Sequence, residues 1–189
     1  MTSAIRDRTH KPKPRGSYQT IDPRPIPALL KHITPRGTIW EPAAGTGEMV
    51  RRLEYAGYSV QASGLIDGAG SILTASSNFF NFKEPPHGCR TIITNPPNDL
   101  NIEFALHALK LMKRARGIIA LYQRHEWDTT QESAKVFDHP AYAMKIVCRF
   151  RPVWIKPKEG EKKSSPFHRW SWFVWDWMHF GGPIIRFSP

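Results

Sequence analysis

Short apolar runs alternate along the chain with stretches in which apolar residues recur at helical spacing, and Gly, Pro, Asn and Asp punctuate the joins. Thr38-Ile39-Trp40 is β-branched and aromatic and stops at Glu41-Pro42, which predicts a buried strand. A small-residue turn, Ala43 to Gly47, leads into residues 48–56, where Met49, Val50, Leu53 and Ala56 share one side, as on a helix. Residues 59–63, 90–94, 117–122 and 143–150 read as further strands, and 170–177 as a final aromatic one. Residues 101–112, with Ile102, Ala105, Leu106 and Leu109 in helical register, and 130–137 read as helices, and 27–32 as a short helix ahead of the first strand. The 117–122 run is almost wholly apolar, which predicts a central strand. Strands alternating with helices predict a doubly wound α/β fold: a mostly parallel sheet with helices on both faces.

Composition adds limits to this picture. A chain of 189 residues is one domain by size. Residues 1–16 are polar, basic and proline-rich, which predicts a flexible tail, and residues 17–189 form the expected single catalytic domain. No apolar run approaches the roughly eighteen residues that a membrane span needs. Cys89 and Cys148 are the only cysteines, and neither has metal-ligand spacing, so free thiols in a reducing cytoplasm are expected. Lys plus Arg exceeds Asp plus Glu by 27 − 16 = 11, and the excess gathers at the two ends. Arg6 to Arg15 crowd the start, and Lys156, Lys158, Lys162, Lys163 and Arg169 belong to a second cluster in the last third. Such clustering is the electrostatic footprint of a nucleic-acid binder, and it does not separate DNA from RNA.

Two stretches carry the candidate chemistry. In Glu41-Pro42-Ala43-Ala44-Gly45-Thr46-Gly47, a strand passes through a small-residue turn into a helix. Such a turn lets backbone N–H groups approach a ligand closely, and a Cβ at Gly45 or Gly47 would obstruct that. Glu41, at the strand end, can receive a cationic group or a hydroxyl. The stretch lacks the third glycine of a dinucleotide fingerprint and the Lys-Ser/Thr of a phosphate loop, which argues against NAD and ATP. The second stretch, Asn95-Pro96-Pro97-Asn98, follows its own strand. Its prolines fix a rigid turn that holds the Asn95 amide and backbone carbonyls outward as acceptors for a substrate amine. In a doubly wound sheet both strand ends can face one crevice.

With these motifs in order, the chain resembles the class I S-adenosylmethionine-dependent methyltransferases, and most of all the N6-adenine DNA methyltransferases of small phage and alphaproteobacterial type. The likeness spans residues 18–183 and rests on Tyr18-x-Thr20, Glu41 to Gly47, Asn78-Phe79, Asn95-Pro96-Pro97 and the late Arg151-Pro152 and Trp172-Phe173-Val174-Trp175-Asp176 pattern. It implies a Rossmann-like, seven-stranded sheet whose last strand, residues 170–177, runs antiparallel, and S-adenosylmethionine as cofactor. By position it implies that Tyr18 and Thr20 close over the methionine end of the cofactor. Glu41 then meets its amino group, and Pro42, Ala43, Gly45 and Gly47 form the turn beneath it. Asn78 contacts the adenine moiety, where the family has Asp, and Phe79 packs on that ring. Gly64 stands where the family often has the acid for the ribose hydroxyls, and Asp67 is the nearest substitute.

The larger departure is Asn98, because the family has there an aromatic ring that stacks on the flipped-out base. Stacking is worth about 1–3 kcal/mol, so its loss weakens capture by roughly one to two orders of magnitude. Tyr122, at the end of the next strand, and His125 and Trp127 after it are the candidate replacements, with Arg124 beside them. The expected reaction moves a sulfonium methyl to an exocyclic amine, adenine N6 in DNA. The Asn95 side chain and the Pro96 carbonyl accept its N–H bonds, Pro97 and Asn98 shape the turn, and the basic residues contact phosphates. Methylation of an RNA or protein-glutamine amine, and a non-catalytic nucleic-acid-binding relative, are the other readings. His125-Glu126-Trp127-Asp128 carries metal-ligand types whose side chains point in different directions, so no metal is expected.

Overall fold

The computed structural model describes residues 22–64, 73–153 and 168–189. Its centre is β5 (Ile118–Arg124), buried along its apolar length and paired on both sides. β4 (Cys89–Thr94) lies parallel to it on one flank and β7 (Trp170–Asp176) antiparallel on the other. With β1 (Thr38–Glu41), β2 (Val60–Gly64), β3 (Ala75–Ser76), β6 (Tyr142–Cys148) and β8 (Ile184–Ser188), they make one sheet in the order β3-β2-β1-β4-β5-β7-β6-β8.

Alternation along the strands builds two cores. Trp40, Ile92, Ile119, Leu121, Phe173 and Trp175 pack on one face against Phe104, Ala108 and Met112 of α3 (Asn101–Met112) and Val136 of α4 (Ala134–Phe137). Ile39, Ile93, Ala120, Tyr122, Trp172 and Val174 pack on the other against Ile26 and Leu29 of α1 (Pro25–Leu30) and Met49 and Leu53 of α2 (Glu48–Tyr55). The two indoles of β7 tie helices to opposite faces. Trp172 Nε1 donates to the Pro25 carbonyl and Trp175 Nε1 to the Val136 carbonyl, each at 2.8 Å. Buried indole N–H groups are thereby satisfied while the rings fill the core.

Several expectations need correction. The sheet has eight strands rather than seven, and the antiparallel β7 is not the last: the chain returns through Gly181-Gly182-Pro183 and adds β8 parallel to β6 at the edge. Residues 130–137 divide into a 3-10 turn, Gln131–Ser133, and the single turn of α4. Leu106 and Ala56 face solvent, because the buried stripe of α3 runs through Phe104, Ala105, Ala108 and Leu109 and that of α2 ends at Leu53. Both cysteines are free and buried. Among the described residues no helix is long and apolar enough to cross a membrane.

At Gly117, where the chain enters β5, an added Cβ would lie 2.7 Å from the Arg90 carbonyl oxygen and 2.4 Å from Met112 Cε. The methionine tip can move, but the carbonyl belongs to β4. Gly117→Ala is expected to cost about 1–3 kcal/mol by overpacking. Thermal unfolding by circular dichroism should show a Tm lower by several degrees, and an unchanged Tm would contradict this packing.

Candidate functional site

β1 and β4 are parallel neighbours, with Trp40 opposite Ile92, so the chain leaves both strands side by side at one rim. β2 ends on the far side of β1, with Glu41 opposite Ala62, and β5 ends beyond β4, with Thr94 opposite Leu121. The rim therefore presents, in order, Gly64, the turn from Glu41 to Gly47, the turn from Asn95 to Asn98, and Gln123 with Arg124. The two motifs read from the sequence meet in space.

In the first turn Gly45 and Gly47 have φ of 53° and 75°, left-handed values that glycine adopts without a Cβ penalty. The Ala44 N–H donates to the Ser63 carbonyl at 3.1 Å and the Gly47 N–H to the Ala44 carbonyl at 2.7 Å. Trp40 Nε1 reaches the Ser63 hydroxyl at 3.0 Å, which fixes the end of β2 to that of β1. Gly64 lies against this turn, its Cβ direction 3.6 Å from the Ala44 nitrogen.

Glu41 is only 2% exposed. Its Oε1 accepts the Ala43 N–H at 2.9 Å. Burial is the dominant influence and raises its pKa to about 7, against the opposing pull of the Thr94 hydroxyl and the Ala43 N–H. No cationic side chain among the described residues pairs with it. A buried carboxyl held by neutral donors alone is poised to ionise against an arriving cation.

In the second turn Asn95 is half-buried, Pro97 is extended, and Asn98–Leu100 forms a 3-10 turn closed by the Leu100 N–H on the Pro97 carbonyl at 3.1 Å. The Asn98 side-chain oxygen is buried with no hydrogen-bond partner among the described residues. The Pro96 carbonyl was expected to serve a substrate amine, yet it already accepts the Gln123 Nε2–H at 2.9 Å, so one lone pair remains for that role. Gln123 was not foreseen, although an amide following an apolar strand is a recognisable signal. Thr94, beside Glu41, and Ser171 were likewise missed.

Other site expectations are displaced into the core. Tyr122 is fully buried, with its ring against Trp170 and Trp172 on the α1 face, so it does not stand in the crevice. Phe79 is 3% exposed, stacked on Phe104 with 4.0 Å between ring centroids, with Trp40 tilted against it and His107 edge-on, which leaves no exposed ring face for a ligand. Trp127 packs among Phe137, Phe173 and Trp175. Asn78 caps its own 3-10 turn by accepting the Phe80 N–H at 3.1 Å, and it stays half-exposed.

Arg124, His125 and Arg169 do come together at the β5–β7 end of the rim. The two arginines are exposed, and the His125 N–H donates to the Arg169 carbonyl at 3.0 Å. His125 Nδ1 lies 2.9 Å from the buried Ser171 hydroxyl. Burial first, and then Lys145, push this imidazole below its usual pKa, which favours the neutral ring at physiological pH. Lys145 is itself held by Asp128 and by the His125 carbonyl. Tyr18, Thr20, Asp67, Lys156, Lys158, Lys162 and Lys163 lie outside the described residues. Among the described residues no group of three or more His, Cys, Asp or Glu side chains could hold a metal.

No protein-family profile matches the chain, and no curated protein matches it. Among solved structures, a candidate class I S-adenosylmethionine-dependent methyltransferase of Listeria monocytogenes is similar with a TM-score of 0.50 at 17% identity, over 86% of this chain and 62% of that one. The chain thus spans less than two thirds of that protein's length. A candidate methyltransferase of Thermoplasma acidophilum gives 0.49 at 12% identity, covering 84% and 74% of the two chains. A ribosomal protein L11 methylase of Lactobacillus delbrueckii subsp. bulgaricus gives 0.48 at 11%, covering 79% and 74%. Taken with the strand order, the Listeria likeness shows that this chain has the Rossmann-like class I methyltransferase fold.

Proposed function

We propose that the protein is an S-adenosylmethionine-dependent N-methyltransferase acting on an exocyclic amine, with adenine N6 in DNA as the acceptor. One observation carries this reading: Glu41, a buried carboxyl with no cationic partner among the described residues, sits on a glycine turn beside the Asn95-Pro96-Pro97 turn at a single rim. A cofactor with an α-ammonium fits that carboxyl, because it supplies the positive charge that no described side chain brings to it.

The cofactor, when bound, supplies a methyl group activated on a sulfonium. Glu41 would hold the ammonium, and the open turn at Gly45 and Gly47 would admit the amino-acid moiety against backbone. Ala43 and Pro42 fix the carboxyl's approach, and Asn78 lies within the segment that the family likeness assigns to the adenine edge. Asn95 would accept one N–H of the target amine, and the remaining lone pair of Pro96 the other. This draws the nitrogen lone pair out of the ring and aligns it, a gain of proximity and preorganised electrostatics. A strong base is unnecessary, since the methylated ammonium is acidic and gives its proton to water.

Nucleic acid is favoured over protein as substrate by the net charge of +11 and by exposed Arg124 and Arg169 at the same rim. Lys156, Lys158, Lys162 and Lys163 belong with them as proposed phosphate contacts, and Tyr18, Thr20 and Asp67 as proposed cofactor contacts. With Tyr122 and Trp127 buried, His125 is, of the three candidate replacements, the ring that stays partly exposed to meet a base in place of an aromatic at Asn98. That shortage of stacking surface favours, as the second reading, an amine already unstacked in RNA, or a protein-glutamine amide. A non-catalytic nucleic-acid-binding relative would instead fail to bind the cofactor.

Two outcomes test this reading. Glu41 has a native pKa near 7 against an ordinary 4.5, so the native state binds more protons than the unfolded chain between those values. Ligand-free stability should therefore fall as pH rises through that window, by on the order of 3 kcal/mol in all. Glu41→Gln mimics the protonated acid. Its Tm should exceed that of the parent at pH 8 and converge with it near pH 4.5, whereas parallel melting curves would reject a buried, uncompensated carboxyl. Asn95→Ala should abolish transfer of tritiated methyl to duplex DNA, with N6-methyladenine absent from the digest, while micromolar cofactor binding persists by calorimetry. Retained transfer would remove Asn95 from its role.

A further inference from the structure

The Asn95-Pro96-Pro97 turn has an unusual backbone inventory. Neither proline has an N–H, so across these two residues the chain can be tied down only through carbonyls. The Pro97 carbonyl is used locally, by the Leu100 N–H at 3.1 Å. The Pro96 carbonyl needs a donor from elsewhere, and it receives the Gln123 Nε2–H at 2.9 Å in a buried bond.

Gln123 is an uncommon occupant for its place. It is 1% exposed and continues the buried run Ile118 to Tyr122. Burying an amide there is unfavourable unless its groups are bonded. Its two ends hold the two sides of the turn: besides the bond to Pro96, its Oε1 accepts from Asn101 Nδ2 at 3.4 Å, at the start of α3. Its cross-strand partner on β7 is Ser171, whose hydroxyl holds His125, so the sheet beneath this amide is itself anchored.

We infer that Gln123 is the positioning residue of the Asn95-Pro96-Pro97 turn, fixing it to β5 so that the Asn95 amide meets the acceptor amine at a set distance. The inference rests on the methyl-transfer reading for its consequence, and on the Gln123–Pro96 bond for its cause. Gln123 does not touch the reacting atoms. It acts through Pro96, and its bond also consumes one of the lone pairs of that carbonyl, which makes Asn95 the stronger of the two acceptors offered to substrate.

The distinguishing variant is Gln123→Leu, close in size and without a donor. A residue needed only for packing would tolerate it; a positioning residue would not. Misplacing the turn should lower kcat roughly 10- to 100-fold on duplex DNA, as expected for lost alignment. The KM for S-adenosylmethionine and the Tm should stay near the parent values, because the cofactor turn is on β1 and the core keeps its volume. Native-state hydrogen exchange gives a second readout that needs no activity. The Leu100 amide, closed on Pro97, should exchange about tenfold faster in the variant, while amides of β1 and β5 keep their protection. An unchanged kcat in Gln123→Leu, or an exchange increase spread evenly over the sheet with a matching fall in Tm, would overturn the inference. Should the parent protein transfer no methyl group, the methyl-transfer reading fails and the exchange experiment still decides whether Gln123 holds the turn.

Discussion

The parallel hydrogen bonding of β1 to β4 governs the whole arrangement. Pairing Trp40 with Ile92 puts Glu41 and Asn95 at the same edge of the sheet, although more than fifty residues separate them. A slip of one residue between the two strands would set Trp40 against the opposite face from Ile92 and misplace bulky side chains in both cores. The register is therefore held by burial on both faces, and the site inherits its geometry from the core. Strand ends in such sheets are also where the backbone leaves the ladder, so a crevice forms there without any special design.

Stability and chemistry pull in opposite directions at this rim. Glu41 and Gln123 are both buried polar groups that a purely structural sheet would replace with apolar residues. Glu41 is held by neutral donors that do not restore the hydration it has lost, which is why its carboxyl is driven toward the protonated form. Gln123 is satisfied, but by the very turn that bears Asn95. The rest of the molecule offsets this cost through large buried aromatics, above all Trp172 and Trp175, which clamp α1 and α4 to opposite faces.

Much of this could be read from residues alone, where the pattern was both long and one-sided. β1, β4 and β5 stand out because their apolar runs end at Pro or charged residues, and α3 because its stripe spans three turns. β8 did not stand out, since Ile184, Ile185 and Phe187 form a short run at an edge and remain exposed, so no buried face imprints a pattern. Tyr122 was misjudged for a reason of parity. A residue near a strand end is close to the rim, but alternation points Tyr122 towards α1 with Ala120, and Gln123 towards the other face with Leu121. Phe79 was misjudged because an aromatic beside a cofactor segment and one filling the core share a sequence; only its stacking on Phe104 tells them apart. The shared rim was expected from the doubly wound pattern, and the register of β1 against β4 places it.

The central claim is that the two turns line one crevice, so that a cofactor seated on the Glu41–Gly47 turn lies against the Asn95-Pro96-Pro97 turn. The most direct measurement is a titration of isotopically labelled protein with S-adenosylmethionine, followed by amide chemical shifts at pH 7.5. Saturable shifts at micromolar ligand, confined to Ala43, Gly45 and Gly47 on one turn and Asn95 and Asn98 on its neighbour, are the predicted result. Shifts elsewhere in the sheet, or none at millimolar ligand, would contradict it.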